Sequence, residues 1–388
     1  MRRRTLLKGG GVAVAGIAGV ASLPLFSSPD RHQDPTKRRA KDISASDPVL
    51  TISNWPLYID EDDDGYVSTL TAFKKKFGAK VNYHTDVTDN VVFFQKVVNQ
   101  LGSGASTGRD MFMLTDWMAA RMIQMGWIQP IDPAKVPNLH QNIISSLKAP
   151  DWDPERKYSA PWQAGFTGMA YNKKYLDKPP ATIKELLTRP DLKGKVAVMT
   201  EMRDTMGLVL LGLGYDPANF TDAQWSEGIE LLEKAKASGH IRAFSGQEYT
   251  DDLTAGNTVA CLAWSGDMAA SEDPHLKFVV PEEGMMIWSD NMLIPNQAQH
   301  QSLAEEWINY YYEPEVAAKL ADYNWYVSPV NGIRPFLEDL DPDILADPDL
   351  SNLILPDETY LKQTHGFMAL KEFQIRNYEG DFSHVSGV

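Results

Sequence analysis

Apolar and polar residues follow one another along this chain in two rhythms. Short apolar runs, "VLTIS" from Val49, "KVNYH" from Lys80 and "DMFMLT" from Asp110, read as strands. Between them lie amphipathic runs at helical spacing. "YVSTLTAFKKKFG" places Val67, Leu70, Phe73 and Phe77 on one face, gathers lysines in its last turn and closes on Gly78, as the helix dipole and a left-handed C-cap favour. "DNVVFFQKVVNQL" follows, with Asp89 or Thr88 as its cap, and then "DWMAARMIQMG". A second series begins at "YSAPWQAGFTGMAYN". It continues through the strand "KVAVMT", a helix after Asp204, the helix "DAQWSEGIELLEKAKAS" and the strand "TVACLAWS". It ends in "MMIWSDNMLIP" and one long helix, "SLAEEWINYYYEPEVAAKLADY". The alternation predicts an α/β fold with a largely parallel sheet, and 388 residues are too many for one core, so two α/β lobes are expected.

In open α/β sheets, ligands collect beyond the C-terminal ends of strands. The residues there form a consistent set: Trp55 and Tyr58; Thr115, Asp116 and Trp117; Thr200, Glu201 and Asp204; Trp264 and Asp267; Trp288 and Asp290. Each end offers an aromatic ring, an acid or both. An ammonium leaving water needs acceptors and negative charge in place of its hydration, and an indole or phenol face attracts it by about 0.5–2 kcal/mol. The same rings cover methylene groups. The set therefore suits an organic cation with an apolar body. Each member also has a plainer reading: Asp116 and Asp204 as helix N-caps, Trp264 and Trp288 as core residues, Glu201 as a partner of Arg203.

Charge and composition narrow the field. A net charge of −15 disfavours nucleic acid and anionic membrane surfaces as partners. The first residues, "RRRTLLKGGGVAVAGIAGVASLPLFSS", place Arg3 and Arg4 before a weakly apolar Gly- and Ala-rich run, the pattern of a twin-arginine export signal over residues 1–28. A polar, basic stretch over 29–47 reads as a flexible tether. The single Cys261 excludes an intrachain disulfide and sits among apolar residues as a core thiol. "GASTG" follows a helix, so it is no nucleophile elbow, and the scattered histidines lack metal spacing. "DEDDDG", Asp60 to Gly65, matches the first half of a calcium loop, but Thr71 stands where a bidentate Glu belongs, and a solvated acidic turn is the simpler reading. No cofactor and no metal are expected.

Several blocks in order resemble the periplasmic spermidine/putrescine-binding proteins, the soluble receptors of polyamine ABC importers: "NWPLYI", "LTDWMAARMIQMGWIQPID", "YSAPWQAGFTGMAYN", "TEMRDTMGLVLLGLGYDP", "AWSGD", "PEEGMMIWSDNMLIP" and "NWYVSPVNG". The resemblance runs from about Leu50 to about Pro335. It implies a bilobal type II periplasmic-binding-protein fold, two α/β lobes joined by a hinge with a ligand cleft between them. Lobe 1 is expected over 48–160 plus 289–333, and lobe 2 over 161–288 plus 334–388. It also implies an exported, monomeric receptor rather than an enzyme, working with a separate permease and ATPase. Residue by residue it implies that Trp55 and Tyr58 flank the ligand, that Glu201 and Asp204 take an amine, and that Trp264 forms a wall. Asp267, Trp288, Asp290 and Tyr326 complete the set. Thr115 matches a small polar residue, whereas an acid at Asp116 departs from the family pattern. Putrescine, spermidine and a longer polyamine stay open, as do another organic cation and a polyamine sensor on the same fold.

Overall fold

The computed structural model describes residues 34–87, 90–246, 248–271, 273–346 and 348–387. The export pattern at the N-terminus and the cap at Thr88 or Asp89 lie outside them. Along the chain, β1 (Val49–Ser53), α1 (Thr69–Phe77), β2 (Lys80–His84), α2 (Asn90–Ser103), β3 (Met111–Thr115) and α3 (Asp116–Gln124) lead to the long strand β4 (Ser159–Asn172). Then come β5 (Val196–Met199), α4 (Met202–Gly212), α5 (Asp222–Ala237), β6 (Ile241–Ser245), β7 (Ala260–Trp264), β8 (Leu276–Val279) and β9 (Met285–Leu293). The helices α6 (Gln301–Tyr311) and α7 (Pro314–Asn324), the short strand β10 (Thr364–His365) and α8 (Glu372–Ser386) close the chain.

Two compact units emerge. One holds residues 34–164 and Ser289–Leu355, the other Gly165–Trp288 and residues 356–387. β4 and β9 each run from one unit into the other. In the first unit β1 lies between β2 and β3, parallel to both, and β3 pairs antiparallel with β9, so that Thr115 stands opposite Asp290. Phe93, Phe94, Leu101, Phe112, Leu114, Met118 and Trp127 pack one core of this unit. In the second unit β5 is parallel to β6 and β7, while β7 and β8 both run antiparallel to β4. Its core gathers Met169, Val198, Leu208, Trp225 and Leu262, with Tyr378 and Phe382 of α8 sealing one side. Cys261 is fully buried there, and burial pushes its thiol pKa up.

Most predicted elements form where the pattern places them, because capping chemistry and periodicity agree. Ser68 accepts from the Thr71 N–H and starts α1, and Gly78 ends it at φ 60°, a left-handed conformation glycine takes at no cost. Other expectations change. The single long helix after Ser302 is two helices, since Pro314 lacks an amide hydrogen and takes the first position of α7. α4 begins at Met202 with Glu201 as its cap, so Asp204 lies inside the first turn rather than ahead of the helix. Trp288 and Asp290 lie within β9, not after a strand. Residues 334–355, grouped from the sequence with the second lobe, belong to the first unit. The sheet of the first unit is mixed, because β9 joins β3 antiparallel.

The stretch read as a tether is docked in its second half. Arg38 O accepts from the N–H and side-chain amide of Gln297, Ile43 N–H donates to Gln299 O, and Asp42 accepts from Ser302 at the start of α6. The acidic turn has a structural task as well. Asp60, 1% exposed, accepts from the Thr69 N–H and the Tyr66 hydroxyl, and Asp62 accepts from Ser68 N–H and Thr71 Oγ1. These carboxylates serve the N-terminus of α1, where the helix dipole favours negative charge. Among the described residues no helix is long and apolar enough to cross a membrane.

Candidate functional site

In the first unit the set centres on Asp290. Its position opposite Thr115 puts both side chains on one face of the sheet, and Thr115 Oγ1 donates to Asp290 Oδ1 at 2.7 Å. Tyr58 Oη donates to Asp290 Oδ2 at 2.8 Å. The carboxylate is 2% exposed, and among the described residues no Lys or Arg pairs with it. Burial outweighs the two hydroxyl donors, and the nearby Asp116 charge adds to it, so the Asp290 pKa is pushed up to about 6.

The rings around this carboxylate are held by unusual backbone. Tyr58 follows Leu57 at φ 60°, and Tyr326 follows Trp325 at φ 61°, both non-glycine residues in the left-handed region. Such residues cost about 1–3 kcal/mol and persist where surrounding contacts fix them. Tyr58 O is pinned by Trp162 Nε1 at 3.2 Å and Gln163 Nε2 at 3.1 Å, and Tyr326 N–H donates to Asn324 Oδ1 at 3.0 Å. The Tyr58 ring lies 5.3 Å from Tyr326 and 6.4 Å from Trp55, centroid to centroid. Trp55, Tyr58, Thr115, Asp290 and Tyr326 are thus gathered in one unit.

Asp116, next in sequence to Thr115, turns to a different task. Its Oδ1 accepts from Ser289 Oγ at 2.5 Å and Asn291 Nδ2 at 2.8 Å, and its Oδ2 accepts from Ser289 N–H at 3.0 Å. The buried Arg156 guanidinium favours its charge, while desolvation is the larger effect and raises its pKa.

In the second unit Asp204, in the first turn of α4, is the centre. Its Oδ1 accepts from Thr167 Oγ1 at 2.8 Å and its Oδ2 from Trp264 Nε1 at 2.9 Å. Thr167 and Trp264 are directly opposite on β4 and β7, which aims both donors at one carboxylate. Tyr249 Oη accepts from Trp264 N–H at 2.9 Å and donates to Asp267 Oδ2 at 2.7 Å, tying the end of β7 to the following turn. Glu201 accepts from Arg203 N–H as the cap of α4, and its carboxylate lies 3.9 Å from the Arg203 guanidinium. Gly165 makes room for Trp288: a Cβ there would meet the indole at 2.4 Å. Glu201, Asp204, Trp264, Asp267 and Trp288 therefore share this unit, with the first four near the ends of β5 and β7.

Four residues of these networks carry no signal in the sequence reading. Asn90 exchanges hydrogen bonds with Thr115 at 2.8 and 3.0 Å, and Thr167, Tyr249 and Gly165 act as described. Thr167 and Gly165 stand in the block that opens the second series, which forms β4, and a strand's period of two could have placed them on a face. Asn90 and Tyr249 act through contacts the linear pattern does not encode.

The model of the bacterial extracellular solute-binding protein family matches residues 105–355. The putrescine-binding periplasmic protein PotF of Escherichia coli is 27% identical over 319 residues, 76% of this chain and 81% of that protein. The spermidine/putrescine-binding periplasmic protein 1 of Haemophilus influenzae is 26% identical over 335 residues, 86% and 88% of the two chains. Among solved structures, the spermidine/putrescine ABC transporter substrate-binding protein PotD of Streptococcus pneumoniae, in complex with calcium and HEPES, superposes with a TM-score of 0.73 at 25% identity. That match covers 87% of this chain and 98% of that one. The fold is thus the bilobal one of these binding proteins, and the chain belongs to the bacterial extracellular solute-binding protein family.

Proposed function

We propose that this protein is an extracytoplasmic receptor that captures a polyamine, putrescine, spermidine or a close relative, and delivers it to an ABC importer. Permease and ATPase are separate chains, and the receptor acts as a monomer without catalysis. The observation that carries the reading is Asp290: a buried carboxylate supplied with two neutral hydroxyl donors, beside tyrosine and tryptophan rings and without a cation among the described residues. Such a group is costly to keep ionised unless a positive ligand joins it. An alkylammonium supplies that charge, and each carboxylate oxygen keeps a lone pair for its N–H donors. Asp204, with Trp264, Asp267 and Trp288, offers the same chemistry in the second unit. The names of PotF and the other polyamine-binding relatives point the same way. The twin-arginine pattern at Arg3 and Arg4 supports export, with N-terminal sequencing of the exported protein as its test.

Thermal stabilisation tests the ligand. At 100-fold excess over Kd, a polyamine adds about 2.7 kcal/mol to the stability of the native state. Native mass spectrometry of gently purified protein should show a retained polyamine mass. If putrescine, spermidine and spermine all leave the melting temperature unchanged, the polyamine assignment is wrong and the retained mass, if any, identifies the proper cation.

A further inference from the structure

Asp116 is the one candidate acid that departs from the family pattern, and its geometry explains what it does. On β9, Ser289 and Asn291 are the residues immediately before and after Asp290, and a strand sends them to the opposite face. Asp116 holds both: Ser289 through its N–H and hydroxyl, Asn291 through its side-chain amide. Asn291 is held from its other end too, since its Oδ1 accepts from Arg156 Nη1 at 3.0 Å. Arg156 is 3% exposed and is anchored in turn by Leu147 O and by Ser159 Oγ at 2.8 Å. Arg156 itself has φ 49°, a left-handed non-glycine residue fixed by this network. All these residues lie within the first unit.

We propose that Asp116 is a positioning residue for Asp290: it grips β9 on both sides of that residue and fixes the carboxylate against Tyr58 and Thr115. The inference rests on the reading of Asp290 as an amine-binding group. It assigns Asp116 no contact with the ligand. It also has an electrostatic consequence. The groups that bond Asp290 are the Tyr58 hydroxyl from the loop after β1 and the Thr115 hydroxyl from β3, while the Asp116 charge acts on it from the other side of β9, with Arg156 acting on Asp116 in turn. Both hydroxyls favour the ionised form of Asp290, whereas Asp116 opposes it. The residue that orders Asp290 therefore also raises the pH at which it loses its proton.

Carboxyl-carbon NMR of ligand-free protein separates this role from simple packing. Wild type should titrate Asp290 near pH 6. Asp116→Asn keeps the size and part of the bonding but removes the like charge, so its Asp290 midpoint should fall. An unchanged midpoint overturns the proposal. The second measurement is putrescine and spermidine affinity at pH 7.5. Asp116→Ala should weaken binding about tenfold or more, and Asp116→Asn should recover most of that loss. Wild-type affinity in Asp116→Ala refutes the positioning role. If Asp116→Ala does not fold, the midpoint of Asp116→Asn decides alone. Because the titration needs no ligand, it stands even if wild type binds no polyamine, an outcome that would refute the functional reading instead.

Discussion

The two units solve one chemical problem in different ways. In the first unit the carboxylate, Asp290, lies in the middle of a strand, 2% exposed, and is met by hydroxyl donors from a neighbouring strand and a strained loop. In the second, Asp204 lies in the first turn of α4, where unpaired backbone N–H groups favour negative charge, and is met by an indole N–H and a threonine. At the strand site burial raises the pKa to about 6, and the ionised form is held at a cost to the native state. The first unit also keeps its tyrosines in place with left-handed residues, Leu57 and Trp325, whereas the second fixes Trp264 with regular strand pairing to Thr167. On the function proposed above, the site more stressed without ligand gains more when ligand arrives, so Asp290 is expected to respond more sharply to a cation than Asp204.

The largest expected effect breaks that asymmetry. Asp290→Asn should lower polyamine affinity by 100-fold or more, roughly 3 kcal/mol, by calorimetry. The same change should stabilise the ligand-free protein. Because the folded pKa lies above the ordinary carboxylate value of about 3.8, the native state prefers protonated Asp290. The penalty is absent below about pH 4, grows as pH rises to about 6, and is complete above it, on the order of 3 kcal/mol. Chemical denaturation at pH 7.5 should show the gain, and at pH 3.5 the two proteins should match. A loss of stability at pH 7.5 would mean that the two hydroxyl donors outweigh burial.

On the other side of the comparison, Trp264→Ala removes both a ring and the Nε1 donor to Asp204. A loss of about 30-fold in affinity is expected, measured by the same titration. Equal losses in this variant and in Asp290→Asn would show that the two units contribute alike. The pH dependence is smaller. Wild-type affinity should fall about tenfold from pH 7.5 to pH 5 as Asp290 takes up a proton, and Asp290→Asn should flatten that part of the profile. The smallest effect is expected for Gly165→Ala. Its Cβ forces the Trp288 indole to shift, and a loss of about threefold in affinity with a blue- or red-shifted tryptophan emission would place that ring in the recognition set.

Much of this was legible because it is local. The strands from Val49, Lys80 and Met111 and the caps of α1 follow from residues within one turn of each other. Trp264 and Asp204 stood out because strand ends and helix starts mark where side chains leave the sheet. The split at Pro314 was visible in principle, but the apolar period on both sides of it outweighed one residue in the reading. Asn90, Thr167 and Tyr249 were not legible, since an ordinary Asn, Thr or Tyr matters here only through a partner 25, 37 or 18 positions away.

What the sequence determined by itself is the alternation of strands and helices, the acidic surface and the supply of aromatic and carboxylate groups at the ends or crossings of strands. These depend on period, composition and caps, which are properties of neighbours in the chain. The tertiary structure alone decided which acid does what. Asp116 and Asp290 look equivalent in a linear reading, each beside an aromatic or polar residue at a strand. Strand register separates them: Thr115 opposite Asp290 sets that carboxylate among hydroxyls and rings, while the next residue, starting a helix, sends Asp116 to the backbone and side chains of Ser289 and Asn291. Pairing register is a long-range property, and only the folded sheet fixes it.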